Sequence, residues 1–326
     1  MGRLKLSIAL ATHNRERFLA GQLESIAAQR RLPDELVIGD DCSTDRSVEI
    51  IRRFAARAPF PVRWYVNGLN RGCSHNFESV IERCSGDLVI FCDDDDVCLP
   101  DKLKVTESEF LDSPEAGLMM SNSTLVDEGL TPLGVTLWDA AKLTLRSRNA
   151  LRDPISTLAK HFVGAGHVLA FRTHLKRYIL PFPREFPPLV FFDVWITFVL
   201  ASIVKIICNP QSLVLHRLHE GQIVGVESLA SEKRKEQRSH ERKRIASLTP
   251  LVEEVIRRVS SISDAPLGKT HLRSLVAWAA LMKMQSELPS KKSERLIPIA
   301  RSILTGHYHR YSRGFLTAAR DLLILR

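Results

Sequence analysis

The 326-residue chain lacks the usual marks of a stapled, secreted or membrane-spanning protein. It has six cysteines and no CxxC pair, and the nearest two, Cys92 and Cys98, are badly spaced for a zinc site. The expectation is reduced thiols in a cytosolic protein. No signal-peptide pattern is visible: Gly2 and Arg3 lead straight into a strand-like run, with no apolar core region or small-residue cleavage site. No internal repeat is evident. The nearest thing to a membrane span, LVFFDVWITFVLASIV at 189–204, falls short of the ~20 residues required and contains Asp193. Closed by Lys205 and Pro210, it reads as a buried helix.

What is present is an ordinary globular composition, 44% hydrophobic and 25% charged, long enough to bury a sizeable core. The net charge of +9 is uneven. Residues 226–326 hold 20 Lys+Arg against 10 Asp+Glu, leaving 26 against 27 for residues 1–225. Two parts with different jobs are expected: a near-neutral domain over 1–225 and a basic helical region over 226–326.

Strand-like runs at 4–12, 35–41, 61–66 and 87–92 alternate with helical spacing at 18–29, 43–58 and 74–84. This alternation predicts an α/β fold with a mostly parallel central sheet flanked by helices. Ligands in such sheets sit beyond the carboxyl ends of the strands. Asp40 and Asp41 end the second strand, and Asp93 to Asp96 end the fourth, so both acidic clusters are expected on one rim. Further on, 116–129 reads as a strand running into a turn and 162–171 as a Gly-interrupted strand or loop. Residues 205–209 and 212–218 read as two strands.

The stretch VIFCDDDDVCLP, 89–100, puts four carboxylates directly after an apolar run. An EF-hand loop counted from Asp93 would need Gly at the sixth position and Glu at the twelfth, where Cys98 and Lys104 stand. A phosphorelay receiver would carry its acid pair after the first strand. A solvated acidic turn is the plain alternative. The preferred reading is a divalent cation shared with a diphosphate: Mg²⁺ takes one or two carboxylates and fills its shell with phosphate oxygens, and it stabilises a diphosphate leaving group.

These stretches, together with IALATHNRERFLAGQLESIAAQ, ELVIGDDCSTDRSVEII, NRGCSHNFESVIERCSGD, FFDVW and LVLHRLHEGQIVG, resemble family 2 glycosyltransferases of the GT-A fold, especially the rhamnosyltransferase-like branch. The resemblance runs in order over about residues 5–225. It implies an inverting, Mg²⁺- or Mn²⁺-dependent enzyme that moves a sugar, with rhamnose leading, from a nucleotide-diphosphate sugar donor to a glycan or lipid-linked acceptor in cell-surface polysaccharide synthesis.

The same resemblance assigns Thr12 and Asn14 to the nucleotide pocket, Asp41 to the base and Arg71 to the donor. It places Asp93, Asp94 and Asp95 on the DxD motif, with Asp95 as metal ligand. His219 would approach the metal or diphosphate, and Asp193 would be the catalytic base. Ordinary turns, helix caps and surface or core roles are the structural alternatives at these positions. Asp96 is expected to cap a helix starting near Leu99. Gly166 would let backbone approach the acceptor. The branch commonly has His before the base and an aromatic after it, where this chain has Phe192 and Val194. That departure keeps a non-catalytic module, binding nucleotide-sugar or glycan in an assembly complex, as the rival reading. A sugar-1-phosphate nucleotidyltransferase is disfavoured, because its Gly-rich, Arg-containing N-terminal loop is missing.

In the tail, Tyr311, Phe315, Ala318, Leu322 and Leu325 recur at helical spacing beside Arg310, Arg313 and Arg320. A basic amphipathic helix of this kind can rest on an anionic membrane surface, which would place a cytoplasmic enzyme at the inner face of the cell membrane. The alternative is docking on the catalytic domain or on a second copy, giving a homo-oligomer. Nucleic acid is not expected as a partner, since the basic run at 233–244 has no interleaved aromatics.

Overall fold

The computed structural model describes residues 2–144, 153–187, 191–220, 248–262 and 268–323. The expected boundary near 225, the basic run at 233–244 and Leu325 lie outside the described residues.

Strands β1 (Leu6–Thr12), β2 (Glu35–Asp40), β3 (Val62–Val66) and β4 (Leu88–Cys92) form a parallel set ordered β3-β2-β1-β4. Helices α1 (Leu19–Ala27), α2 (Ser47–Ala55) and α3 (Cys73–Arg83) connect them. β1, β2 and β4 are buried along their whole length, because helices cover both faces, which is why they read as continuous apolar runs. β1 and β4 each send alternate residues into two separate cores: Ala9, Val89 and Phe91 into one, Ile8, Leu10 and Ile90 into the other.

Beyond β4 the sheet becomes mixed. A short β5 (Val97–Cys98) is followed by α4 (Lys102–Asp112), β6 (Ala116–Val126) and β7 (Pro132–Thr136). β8 (Leu169–Arg172) runs antiparallel to both β4 and β6, while β9 (Lys205–Arg217) runs parallel to β6 and antiparallel to β5. The two strands expected at 205–218 are therefore one. Pro210 is accommodated where the register against β6 slips between Met120 and Asn122, rather than ending the strand.

Short helices α5 (Leu137–Ala140), α6 (Pro154–Lys160) and α7 (Lys176–Ile179) precede α8 (Phe192–Ile203). α8 is buried over 195–203, as its all-round apolar sequence requires. Among the described residues no helix is long and apolar enough to cross a membrane. The chain ends in helices over 248–260 (α9), Gly268–Ser286 (α10), Lys292–Leu304 (α11), His307–Tyr311 (α12) and Phe315–Leu323 (α13). The tail expected as one helix is thus two, broken at Gly314, whose φ of 59° lies in the left-handed region. α9 and α10 dock on α7 and α8: Arg258 donates to the carbonyls of Tyr178 and Pro181 and lies over the Trp195 ring, and Trp278 packs on Phe198.

Candidate active site

The carboxyl ends of β1, β2 and β4 meet at one rim. Asn14, just past β1, adopts a positive φ of 51°, and its side-chain carbonyl accepts from the Thr44 N–H at 2.8 Å. Its own N–H donates to Ser43 Oγ at 2.9 Å, which ties the β1 and β2 loops together. Asp41 is buried, and its carboxylate accepts from Asn67 Nδ2 and from the N–H groups of Arg71 and Gly72, all within 3.0 Å. It clamps the loop that leads into α3. The Arg71 guanidinium bonds Ser79 Oγ at 2.5 Å and lines a groove with Glu78, Glu82 and Pro181. Its backbone, not its side chain, is what reaches the rim.

The four acids after β4 have different fates. Asp93 is the most open of the four, and its carbonyl accepts from Gln22 Nε2 at 2.6 Å. Asp94 and Asp95 are nearly buried, and burial followed by mutual repulsion among the acids raises both pKa values. The Arg15 guanidinium sits 3.4 Å from Asp94 and 3.6 Å from Asp95, and the Thr12 hydroxyl faces Asp94. His219 Nε2 lies 3.0 Å from Asp95 Oδ2, with its ring held against Phe18.

Asp96 corrects its expected role. It caps no helix: α4 starts at Lys102, and Asp96 instead accepts from His216 Nδ1 at 3.0 Å and from the Arg217 N–H at 2.9 Å. Burial alone would raise this carboxyl, but His216 and His167 bring it down to about 2. His216 is pushed the other way: burial opposes its charge, yet Asp96 lifts it to about 9. Asp96 therefore fastens the acid loop to β9 as an internal ion pair.

Asp193 stands at the first turn of α8, within the protein envelope but open to the cleft. Burial raises its pKa to about 7, and the charge of Asp93 pushes the same way against backbone hydrogen bonds from Val194 and Gly166. The Gly166 N–H thus faces Asp193, while a Cβ on Gly166 would meet Phe192 Cζ at 3.0 Å and Asp93 Oδ1 at 3.3 Å. Gly166 is the spacer between Asp193 and the acid loop. The Cys73 thiol, at the start of α3, is raised first by burial and then by the charges of Asp93, Asp94, Asp193 and Asp95, so all four acids act on one point at the rim. Beneath it the buried Lys102 ammonium donates to the carbonyls of Phe91 at 2.7 Å and His167 at 3.0 Å.

Two groups of donor atoms are of the right kind for a cation. Asp95 and His219, in contact at 3.0 Å, offer a hard oxygen and an imidazole, donor types that Mg²⁺ or Mn²⁺ accepts, with Asp93 and Asp94 next to Asp95 in sequence. Asp96, His167 and His216 bring ligand atoms within 4.8 Å of one another deeper inside. There the two imidazole rings stack at 4.2 Å and 5°, and Asp96 is already engaged by His216 and Arg217. In-plane lone pairs of parallel rings do not converge on one point, so the inner group reads as an ion-pair knot.

Arg15, His167, His216 and Lys102 were not singled out from the sequence. Arg15 was within reach, one residue past Asn14 in a recognised stretch; the others depend on contacts between residues 65 to 120 positions apart.

Residues 7–152 match the family model described as Glycosyl transferase family 2. This match covers just under half of the chain. An uncharacterized glycosyltransferase of Nostoc sp. (strain PCC 7120) is 26% identical over 223 residues, 66% of this chain and 65% of that protein. Abequosyltransferase RfbV of Salmonella typhimurium is 31% identical over 110 residues, 33% of each chain. The matched stretch therefore spans just under two thirds of the Nostoc relative and a third of RfbV. The structure resembles S. aureus TarS 1–349 in complex with UDP-GlcNAc, with a TM-score of 0.59 at 15% identity over 97% of this chain and 91% of that one. It also resembles the mannosyltransferase PcManGT from Pyrobaculum calidifontis in complex with GDP-Man and Mn²⁺, with a TM-score of 0.56 at 16% identity over 100% and 82%. The fold that the chain shares with these neighbours is GT-A.

Proposed function

We propose that the protein is an inverting glycosyltransferase that uses a nucleotide-diphosphate sugar and a divalent cation, Mg²⁺ or Mn²⁺. It would build a cell-surface polysaccharide in the cytoplasm on a glycan or lipid-linked acceptor. The observation that carries this reading is Asp193, held near neutrality across Gly166 from a buried acidic rim. Thr12, Asn14 and Asp41 line the nucleotide end, with Asp41 shaping it through the 67–72 loop. Asp93 and Asp94 face the sugar and ribose, and Asp95 with His219 would hold the cation. When bound, that cation offsets the charge of the departing diphosphate. Rhamnose as the sugar rests only on the resemblance in sequence.

In the reaction the acceptor hydroxyl oxygen attacks the anomeric carbon from the side of Asp193. Asp193 takes the hydroxyl proton as the carbon–oxygen bond to the diphosphate breaks, and nucleoside diphosphate leaves with that bonding pair. One displacement inverts the anomeric configuration. A free Asp, with a pKa near ~3.9, is a weak base. Raised to about 7, Asp193 keeps a substantial ionised fraction at neutral pH and is a stronger base than a free Asp. Arg15 partly balances Asp94 and Asp95 and faces the place where diphosphate charge would develop.

The test is a panel of nucleotide sugars and acceptors, read by nucleoside diphosphate release and product mass, with and without chelator. Turnover should require the cation and vanish in Asp193→Asn, with donor binding retained. Donor binding with no turnover across the whole panel would instead support the non-catalytic module.

A further inference from the structure

The last helices pack inward through apolar residues, Ile299, Tyr308 and Ala318 among them, mixed with buried polar ones. Asp321, buried, accepts from Gln285 Nε2 at 2.7 Å and Tyr308 OH at 2.9 Å. Arg295, also buried, donates to the carbonyls of Pro289 at 2.6 Å and Ser290 at 2.8 Å. These directional bonds, buried where water cannot replace them, fix the rotation of α11 and α13. Their outer sides carry large apolar residues among charged ones. Ile297 and Leu304, two turns apart on one stripe of α11, are 80% and 88% exposed. Phe315 and Leu316 on α13, which packs against α11, are 64% and 77% exposed. Large apolar side chains grouped this way on adjoining helices mark an interaction surface.

Charge selects the occupant. From 291 to 323 the exposed side chains include Lys291, Lys292, Arg301 and Arg313, against Glu294 as the single exposed acid among the described residues. Arg301 falls between Ile297 and Leu304 on the same stripe, and Arg313 adjoins Phe315. A second copy laid on this face would set cation against cation. An anionic lipid surface accepts both components, taking the apolar tips into the headgroup boundary and the cations into its phosphate layer.

We infer that the outer face of α11 and α13 docks on an anionic bilayer surface, with Ile297, Leu304, Phe315 and Leu316 as the inserted side chains. The helices lie on the membrane, as none is long and apolar enough to cross it. This inference is independent of the donor-site reading.

The experiment is flotation of the full chain with vesicles of phosphatidylcholine alone or mixed with phosphatidylglycerol. Binding should need the anionic lipid and weaken with added salt. Replacing Ile297, Leu304, Phe315 and Leu316 together by Ser should cut partitioning by roughly tenfold or more. Arg301→Glu with Arg313→Glu should weaken it several-fold, and both variants should keep the parent's circular dichroism. Equal binding to neutral vesicles, or undiminished binding by both variants, overturns the inference. So does a parent dimer in sedimentation that the serine variant dissociates, since that would make a second copy the occupant.

Discussion

The acid loop and the outer face of the last two helices depart from ordinary burial in opposite directions. At the loop the chain buries carboxylates: Asp94, Asp95 and Asp96 are all under 10% exposed. At the helices it leaves Ile297, Leu304, Phe315 and Leu316 in water. Both departures are held in place by conventional parts. The loop is fastened by Asp96 to His216 and the Arg217 N–H, and the helices by Asp321 to Tyr308 and Gln285. Each region therefore separates a fastening residue from its exposed or frustrated neighbours. The frustrated ones show where a cation with its diphosphate, or a lipid surface, would complete the chain.

The sharpest way to break this comparison is to neutralise the acids one by one. Asp193→Asn should lower turnover by about 10²–10⁴-fold, the range for loss of a general base, with little change in donor affinity. Unchanged turnover would remove Asp193 from the chemistry. Asp95→Asn and Asp96→Asn should then part company in thermal melts without added metal. Asp96→Asn leaves His216 without its counter-charge and should cost about 3–5 kcal/mol, as when a buried pair loses one member. Asp95→Asn relieves repulsion, so it should keep or raise the melting temperature while abolishing metal-dependent turnover. If both destabilise equally, the division of labour within the loop is wrong.

Titration sharpens the same contrast. With its pKa raised to about 7, Asp193 should give a rate that climbs with pH and levels off above about 7, a limb that is absent in Asp193→Asn. The Asp96–His216 pair behaves differently. His216, raised to about 9, contributes stability that is complete below about 6.5 and lost as pH rises toward 9. Asp96, lowered to about 2, contributes stability that is complete above about 3.9 and lost as pH falls toward 2. Melts between these limits should show this pair's contribution at its plateau. A smaller effect is expected at the spacer: Gly166→Ala would press on Phe192 and Asp93 and should slow turnover by about tenfold, ~1.4 kcal/mol, without unfolding the protein. An unaffected rate would show that the gap between base and acids tolerates a methyl group.

The parallel half of the fold was legible because its signals are local. β1 to β4 are short apolar runs ended by turn residues, and each parallel crossover carries its helix in the next stretch of sequence. Both acidic clusters fall on the expected rim for the same reason. The mixed half was not legible: β8 enters between β4 and β6, a choice made by packing of distant segments, and Pro210 sits inside β9 because a register slip absorbs it. At the site, periodicity could place Asp93 to Asp96 at a strand end but could not tell four identical residues apart. His216, Arg217 and His167, all more than 70 residues on, make Asp96 different from Asp95. The apolar stripe of the tail was legible but its direction was not: Tyr311 and Ala318 are buried while Phe315 is exposed, since a stripe of apolar residues gives the same pattern whether it faces in or out.

The Lys102 ammonium grips the Phe91 carbonyl, one residue before the end of β4, on one side and the His167 carbonyl, next to Gly166, on the other. The wall that would carry the departing group and the wall that would receive the nucleophile thus hang from a single positive charge under the cleft floor. Their separation is set from below, before any sugar arrives, much as a gauge block sets the jaws of a vice. Shortening or neutralising that side chain would leave two carbonyls unanswered in a dry interior and let the jaws drift, so the chemical step should suffer more than the grip on the donor.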